Sequence, residues 1–189
     1  MNKPQKTGYE PFTFDRSPEN FTLGDFWRWR SSYLLDNITR AYLAEFIVAN
    51  ALGIEGEPTP EWESYDLLFG KARIEVKTSA YLQAWDQKTD SRLRFSIQPA
   101  KAWDSKTGYS DEATRNSEMY IFCVLAERDR ERIDPLVLDQ WEFYPVLTSE
   151  ICAMLGEQKS VGMSTISRLC PEPYDYASLR DAVVRLLKK

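Results

Sequence analysis

Histidine does not occur among the 189 residues. Its absence excludes Ser–His and Cys–His nucleophile pairs, histidine-ligated zinc, and hydrolysis driven by a histidine general base. Hydrolytic chemistry on this chain must run on carboxylates, lysine, tyrosine or a carboxylate-held metal. Cysteine is scarce: Cys123, Cys152 and Cys170 are odd in number and widely spaced, with no Cys-x-x-Cys pair to begin a zinc or redox site. They read as reduced structural thiols. No apolar run approaches the roughly 18 residues that cross a bilayer, and the opening MNKPQKTGYEPF lacks the apolar core of a signal peptide. A cytoplasmic protein with no membrane partner is expected. Internal repeats and low-complexity tracts are missing as well.

What is present suits a folded globular chain: 43% apolar and 13% aromatic residues, with six Trp. The length predicts one domain over 1–189, large enough to bury a core without disulfides or structural metal. Net charge is −5, the wrong sign for a surface that binds nucleic acid throughout. The charge is uneven, however. Between Lys71 and Arg115 nine Lys/Arg stand against six Asp/Glu, so this window is basic within an acidic chain.

The first twenty residues, polar and punctuated by Pro4, Pro11 and Pro18, predict an arm over the surface rather than a regular element. Asp25 is placed to cap a short helix through DFWRWRSSYLL. A longer helix is predicted over 37–52, stopped by Gly53, with Ile38, Ala41, Val48 and Leu52 on one stripe and Glu45 among them. After the Gly- and Pro-rich GIEGEPTPEW come strands over 65–69, 72–80 and 92–98, the first two joined by a turn at Gly70 and Lys71. The second and third alternate, so each would offer one apolar face to a core and one polar face to a cleft. A short helix is expected over 99–103. MYIFCVLA is an unbroken apolar run that suits a strand buried on both faces. WEFYPVLT predicts another strand, with Pro145 marking an edge or bulge. The helix SEICAMLG, a strand over 161–166 and the amphipathic helix SLRDAVVRLLKK complete an α/β sandwich.

Asp66 and Glu75 flank the predicted turn, and Lys77 is the next residue on Glu75's face. Antiparallel pairing would bring Asp66 close to Glu75, with Lys77 beside them. Two adjacent carboxylates repel unless a cation lies between, and Mg²⁺ takes one or two carboxylates together with water and phosphate oxygens. The Val76 carbonyl would add a further oxygen. Glu45, a carboxylate on an apolar helix stripe, needs a partner if it is buried ionised. Each residue also has an ordinary reading: Glu45 as a salt-bridged side chain at a helix edge, Asp66 as a polar residue at a strand start, Glu75 and Lys77 as an ion pair on a solvated sheet face. The ordinary readings do not account for all four in this order on these elements, beside a polar-faced third strand ending at Gln98.

That pattern resembles the PD-(D/E)xK superfamily, the restriction-endonuclease-like nucleases, over 37–126. The resemblance implies an α/β fold with an αβββαβ core, a mixed central sheet flanked by helices, the 1–20 arm before it and C-terminal additions over 141–189. Tyr65 precedes Asp66 where the family pattern has proline. The resemblance further implies a divalent-metal-dependent DNA endonuclease using Mg²⁺ or Mn²⁺. Asp66 and Glu75 would bind the metal with the Val76 carbonyl, Lys77 would orient or help deprotonate the attacking water, Glu45 would hold a water on the metal or a second ion, and Gln98 would position substrate. Such a site needs no histidine.

Arg73, on the face of Glu75 and Lys77, and Arg92 and Arg94, on the face of Gln98, would line the phosphate path, with Lys71 and Lys101 at its rim; each also serves as an ordinary solubilising charge. Trp85 and Trp103 would either stack on bases or anchor loops. A second reading keeps the fold and drops the chemistry, giving a catalytically inactive nuclease-fold binding or interaction protein. The net negative charge also leaves room for a homodimer or a targeting partner subunit that supplies DNA affinity.

Overall fold

A computed structural model of the chain describes residues 5–56, 59, 63–101, 103–104 and 108–188. The N-terminal segment is not the irregular arm expected. It forms a hairpin of β1 (Pro11–Phe14) and β2 (Ser17–Thr22). Asp15 and Arg16 both take positive φ, 47° and 64°, the two-residue turn geometry that matches strand twist and closes tight hairpins. Helix α1 (Leu23–Ser31) follows directly. Its cap is Thr22, and Asp25 stands at the third helical position rather than at the cap: the Thr22 N–H donates to Asp25 Oδ2 at 2.7 Å, and the Asp25 N–H donates to Thr22 Oγ1 at 3.3 Å. Helix α1 buries none of its side chains.

Helix α2 (Asn37–Leu52) has the predicted bounds. Asp36 caps it by accepting from the N–H groups of Ile38 and Thr39, at 3.0 and 3.3 Å. Gly53 ends it in the left-handed conformation, φ 69°, with its N–H on the Asn50 carbonyl and that of Ile54 on the Ala49 carbonyl. The buried stripe differs from the one predicted: Arg40, Ala44, Ile47, Val48 and Leu52 are buried, while Ile38 is exposed. Glu45 therefore lies beside the buried stripe.

The chain continues through β3 (Leu67–Phe69), β4 (Ala72–Ala80), β5 (Arg94–Ser96), β6 (Trp103–Asp104), β7 (Gly108–Tyr109), β8 (Met119–Leu125), β9 (Trp141–Leu147), α3 (Thr148–Leu155), β10 (Ser160–Gly162), α4 (Met163–Leu169) and α5 (Leu179–Leu187). The central sheet has the order β3-β4-β8-β9. Strands β4 and β8 are parallel and the other pairs antiparallel, giving the mixed sheet flanked by helices that the sequence predicts. Every residue of β8 is buried, as its apolar run requires. One sheet face, with Ile74, Val76, Ile121 and Phe143, packs against Val48 and Leu52 of α2 and Leu179 and Val183 of α5. The other, with Phe122, Tyr144 and Val146, packs against Phe95, Ile151, Val161 and Ile166.

The structure corrects three further expectations. The third strand spans only residues 94–96 and pairs with β10 in a separate two-stranded sheet, because Leu93, Phe95 and Ile97 bury against the second sheet face instead of extending its edge. No helix forms over 99–103: Ala100 exchanges backbone hydrogen bonds with Thr114 at 2.9 and 3.0 Å, and β6 pairs with β7, so this stretch is extended; Ala102 lies outside the described residues. The strand expected over 161–166 ends at Gly162, where α4 begins. Pro145 does sit on the edge strand of the central sheet. No helix among the described residues is long and apolar enough to cross a membrane.

Candidate active site

Strand β3 is short, pairing only with Ala72, Arg73 and Ile74 of β4. Strand β8 occupies the opposite edge of β4 from Ile74 to its end. From Glu75 onward the β3 side of β4 has no neighbouring strand among the described residues, and a cleft of about 490 Å³ opens there. Residues 76–79 of β4, the first half of α2 and the polar side of β5 line it.

The β3–β4 register ends at the Leu67–Ile74 pair, and Asp66 follows it out of register, its backbone facing Ile74 rather than Glu75 as the simple antiparallel pairing predicts. The Asp66 N–H donates to the Ile74 carbonyl at 3.0 Å, and Asp66 Oδ2 accepts from the Val76 N–H at 2.7 Å. The Val76 carbonyl lies on the same side of the strand as its N–H, so it faces the open edge. Glu75 is engaged on both oxygens: Lys77 Nζ lies 2.5 Å from Oε1, and Ser117 Oγ donates to Oε2 at 3.3 Å. Glu45 joins from α2, lining the same cleft as Lys77.

Glu45 and Lys77 each feel the other's charge and those of Asp66 and Glu75, and Asp66 feels those of Glu75 and Lys77. Glu45 is pushed up to about 7, first by burial, then by the charges of Asp66 and Glu75, against the pull of Lys77. Asp66 is pushed up to about 6 by burial and then by Glu75, with Lys77 and the Val76 N–H opposing. Burial works against the Lys77 ammonium, yet Glu75, Asp66 and Glu45 together hold it above the ordinary lysine value. Lys77 pairs with Glu75, and the charges of Asp66 and Glu45 add to its hold on the proton. Tyr120, beside Glu75 in the parallel register, is pushed up to about 12 by burial and then by Glu75, so it stays a neutral phenol.

Among the described residues no three acidic or cysteine side chains converge into a ready-made metal cage. The hard-oxygen donors at hand are Asp66, Glu75 and the Val76 carbonyl, with Glu45 on the helix side. An ion that binds through one or two carboxylates and keeps water in its remaining positions fits such a set, because among the described residues Lys77 is the one cation whose charge bears on Glu45 and Asp66.

Arg94 of β5 and Arg92 just before it line the cleft, and Trp85, 57% exposed, lines it from the preceding loop. The other predicted contacts are not brought there. Gln98 is exposed beyond the end of β5 and does not line the cleft. Arg73 is held by Glu118 through Nη2 at 2.6 Å and Nε at 3.2 Å. Lys71 sits exposed in the β3–β4 turn, and Lys101 is exposed outside the cleft. The Trp103 side chain lies outside the described residues. Sequence reasoning missed Arg40 and Gln83, which are buried and line the cleft. The signal for Arg40 was its place in the four-residue spacing Arg40, Ala44, Val48, Leu52, which is the stripe α2 buries.

Residues 28–162 match the model of a family described as bacteriophage T4 endonuclease IV. Comparison with curated proteins and with solved structures finds no match. The matched segment contains α2, the central sheet and every residue that lines the cleft.

Proposed function

The chain belongs to the bacteriophage T4 endonuclease IV family, and on that premise we propose that it is a divalent-metal-dependent endonuclease hydrolysing phosphodiester bonds in DNA at the open edge of β4. The same residues, Glu45, Asp66 and Glu75-Val76-Lys77, support placing it in the wider PD-(D/E)xK superfamily. Asp66, Glu75 and the Val76 carbonyl would hold Mg²⁺ or Mn²⁺, with Glu45 holding a water or a second ion. When bound, such an ion supplies Lewis-acid polarisation of the phosphate and a water acidified toward neutral pH.

The chain's own groups do the rest. Lys77, kept protonated by three carboxylates, orients the attacking water and offsets phosphate charge; a base role fits it poorly, because an ammonium raised above its ordinary pKa does not take up a proton at neutral pH. Tyr120 stays neutral and adds no further negative charge. Arg92 and Arg94 meet the phosphate backbone. Gln98, outside the cleft, has no part in this scheme. The observation that carries the reading is the placement of Asp66, Glu75 and Lys77 together where β3 stops along β4, with the Val76 N–H on Asp66 and the Lys77 ammonium on Glu75.

Glu75→Ala and Lys77→Ala are expected to keep the wild-type circular dichroism spectrum and to lose metal-dependent cleavage of plasmid or single-stranded DNA. Undiminished cleavage by both purified variants overturns the assignment. The tight Glu75–Lys77 ion pair favours a second reading, an inactive binding protein on this fold, in which that pair is simply structural. Calorimetric titration with Mn²⁺ separates the two: heat of binding supports the enzyme, and a silent titration supports the binding protein.

A further inference from the structure

Arg40 is the only charged residue among the described ones that is buried outright, with 3% of its surface exposed. Its Nη1 donates to the Leu35 carbonyl at 2.9 Å, its Nη2 to Asn37 Oδ1 at 2.7 Å, and both reach Gln83 Oε1 at 3.5 Å. All three acceptors are neutral. Nε has no partner. Among the described residues no carboxylate forms an ion pair with Arg40. Asp36, the one acidic group that acts on it, already accepts two N–H groups at the start of α2. An arginine stays charged when buried, and a buried charge left uncompensated is expensive. Yet Arg40 lines the same cleft as Lys77, Arg92 and Arg94.

Along α2 the cleft meets Arg40 first and Glu45 five residues later, about 7.5 Å further along the helix axis, so a buried guanidinium with an unpartnered Nε–H and a carboxylate line it at different points. We propose that Arg40, together with Arg92 and Arg94, forms a phosphate-binding subsite that seats a backbone phosphodiester away from the scissile bond. Leu35, Asn37 and Gln83 already hold both Nη groups, so the guanidinium is in place before the ligand arrives and offers its Nε–H to one phosphate oxygen. The identity of the ligand rests on the endonuclease reading; the anion site rests on the geometry alone.

The test uses the full chain labelled with ¹⁵N, in EDTA, titrated with inorganic phosphate while the arginine Nε–H resonances are followed. The Arg40 signal, identified by its loss in Arg40→Lys, is expected to shift saturably. In a second measurement, a labelled DNA duplex is bound in Ca²⁺ over a range of salt. Arg40→Gln is expected to weaken binding and to make the slope of log affinity against log salt shallower by about 0.9, the loss of one phosphate contact. Should Arg40→Gln fail to fold, the exposed pair Arg92→Gln with Arg94→Gln must flatten the slope by about twice that amount. A phosphate titration that leaves the Arg40 Nε–H signal unmoved overturns the subsite and leaves Arg40 as a staple between residues 35–37 and Gln83; so does a folded Arg40→Gln variant with an unaltered slope. A phosphate shift without DNA cleavage sinks the endonuclease reading and spares the subsite, and cleavage without the shift does the reverse.

Discussion

Glu45 and Asp66 keep protons in the folded chain that they release when it unfolds. Glu45 titrates near 7 against an ordinary 4.5, and Asp66 near 6 against 3.8, chiefly because burial disfavours their ionised forms. Below the ordinary values both states are protonated and stability is whole. As pH rises through the interval up to the folded values, the native state binds more protons than the unfolded one, so stability falls. The melting temperature in EDTA is expected to decline from about pH 4 to pH 7 and to level off above that. Glu45→Gln removes the upper part of the decline. Mg²⁺ or Mn²⁺ is expected to restore more stability at pH 8 than at pH 5, because at the lower pH protons already occupy the oxygens the metal needs. Differential scanning fluorimetry across pH, with and without metal, checks this; a melting temperature that rises between pH 5 and 7 without metal contradicts it.

At the scale of elements, α2 carries Arg40 and Glu45 into the cleft, and both its ends are fastened by identifiable residues. Asp36→Ala removes the acceptor for two first-turn N–H groups, at an expected loss of about 1 kcal/mol. Gly53→Ala places a Cβ at φ 69°, where side chains are disfavoured, and 2.8 Å from Arg180 Nη1. The arginine can swing aside, so the cost is mainly conformational: about 1 kcal/mol, or roughly 2–4 °C of melting temperature for a chain of this size. Thermal denaturation of the two variants reads both effects. Strand β3 matters by stopping early. Had it continued along β4, its backbone would have filled the edge on which Val76, Lys77 and Ser79 line the cleft.

For the molecule as a whole, the basic window between Lys71 and Arg115 counts for less than its composition implies. Arg73 is tied to Glu118, and Arg115 donates to the carbonyls of Ile97 and Gln158. Arg40, Arg92 and Arg94 are the arginines left lining the cleft. With about three phosphate contacts, duplex binding by the isolated chain in Ca²⁺ is expected to show a shallow salt slope, near −3, and modest affinity. Anisotropy measurements across salt test this. A slope much steeper than that would mean that the chain engages DNA over a wider surface than the cleft and needs no partner to supply charge.

Local periodicity carried much of the fold. The end of α2 was legible because Gly53 acts within one turn of the backbone, β8 because an unbroken apolar run must be covered on both faces, and the nearness of Asp66 to the Glu75–Lys77 segment because a short turn folds the two strands onto each other, although Asp66 itself slips to face Ile74. No single stretch could reveal what depended on distant partners. Strand β5 left the central sheet because β10, over sixty residues later, supplies its ladder, and the stretch after Pro99 stayed extended because Thr114 pairs with Ala100. Arg40 reads in sequence as one more charge near the start of a helix. Its four-residue spacing with Ala44, Val48 and Leu52 sets it on the apolar stripe, but only packing shows that it is buried there with neutral acceptors, because burial and charge compensation are properties of the space around a side chain and not of its neighbours along the chain.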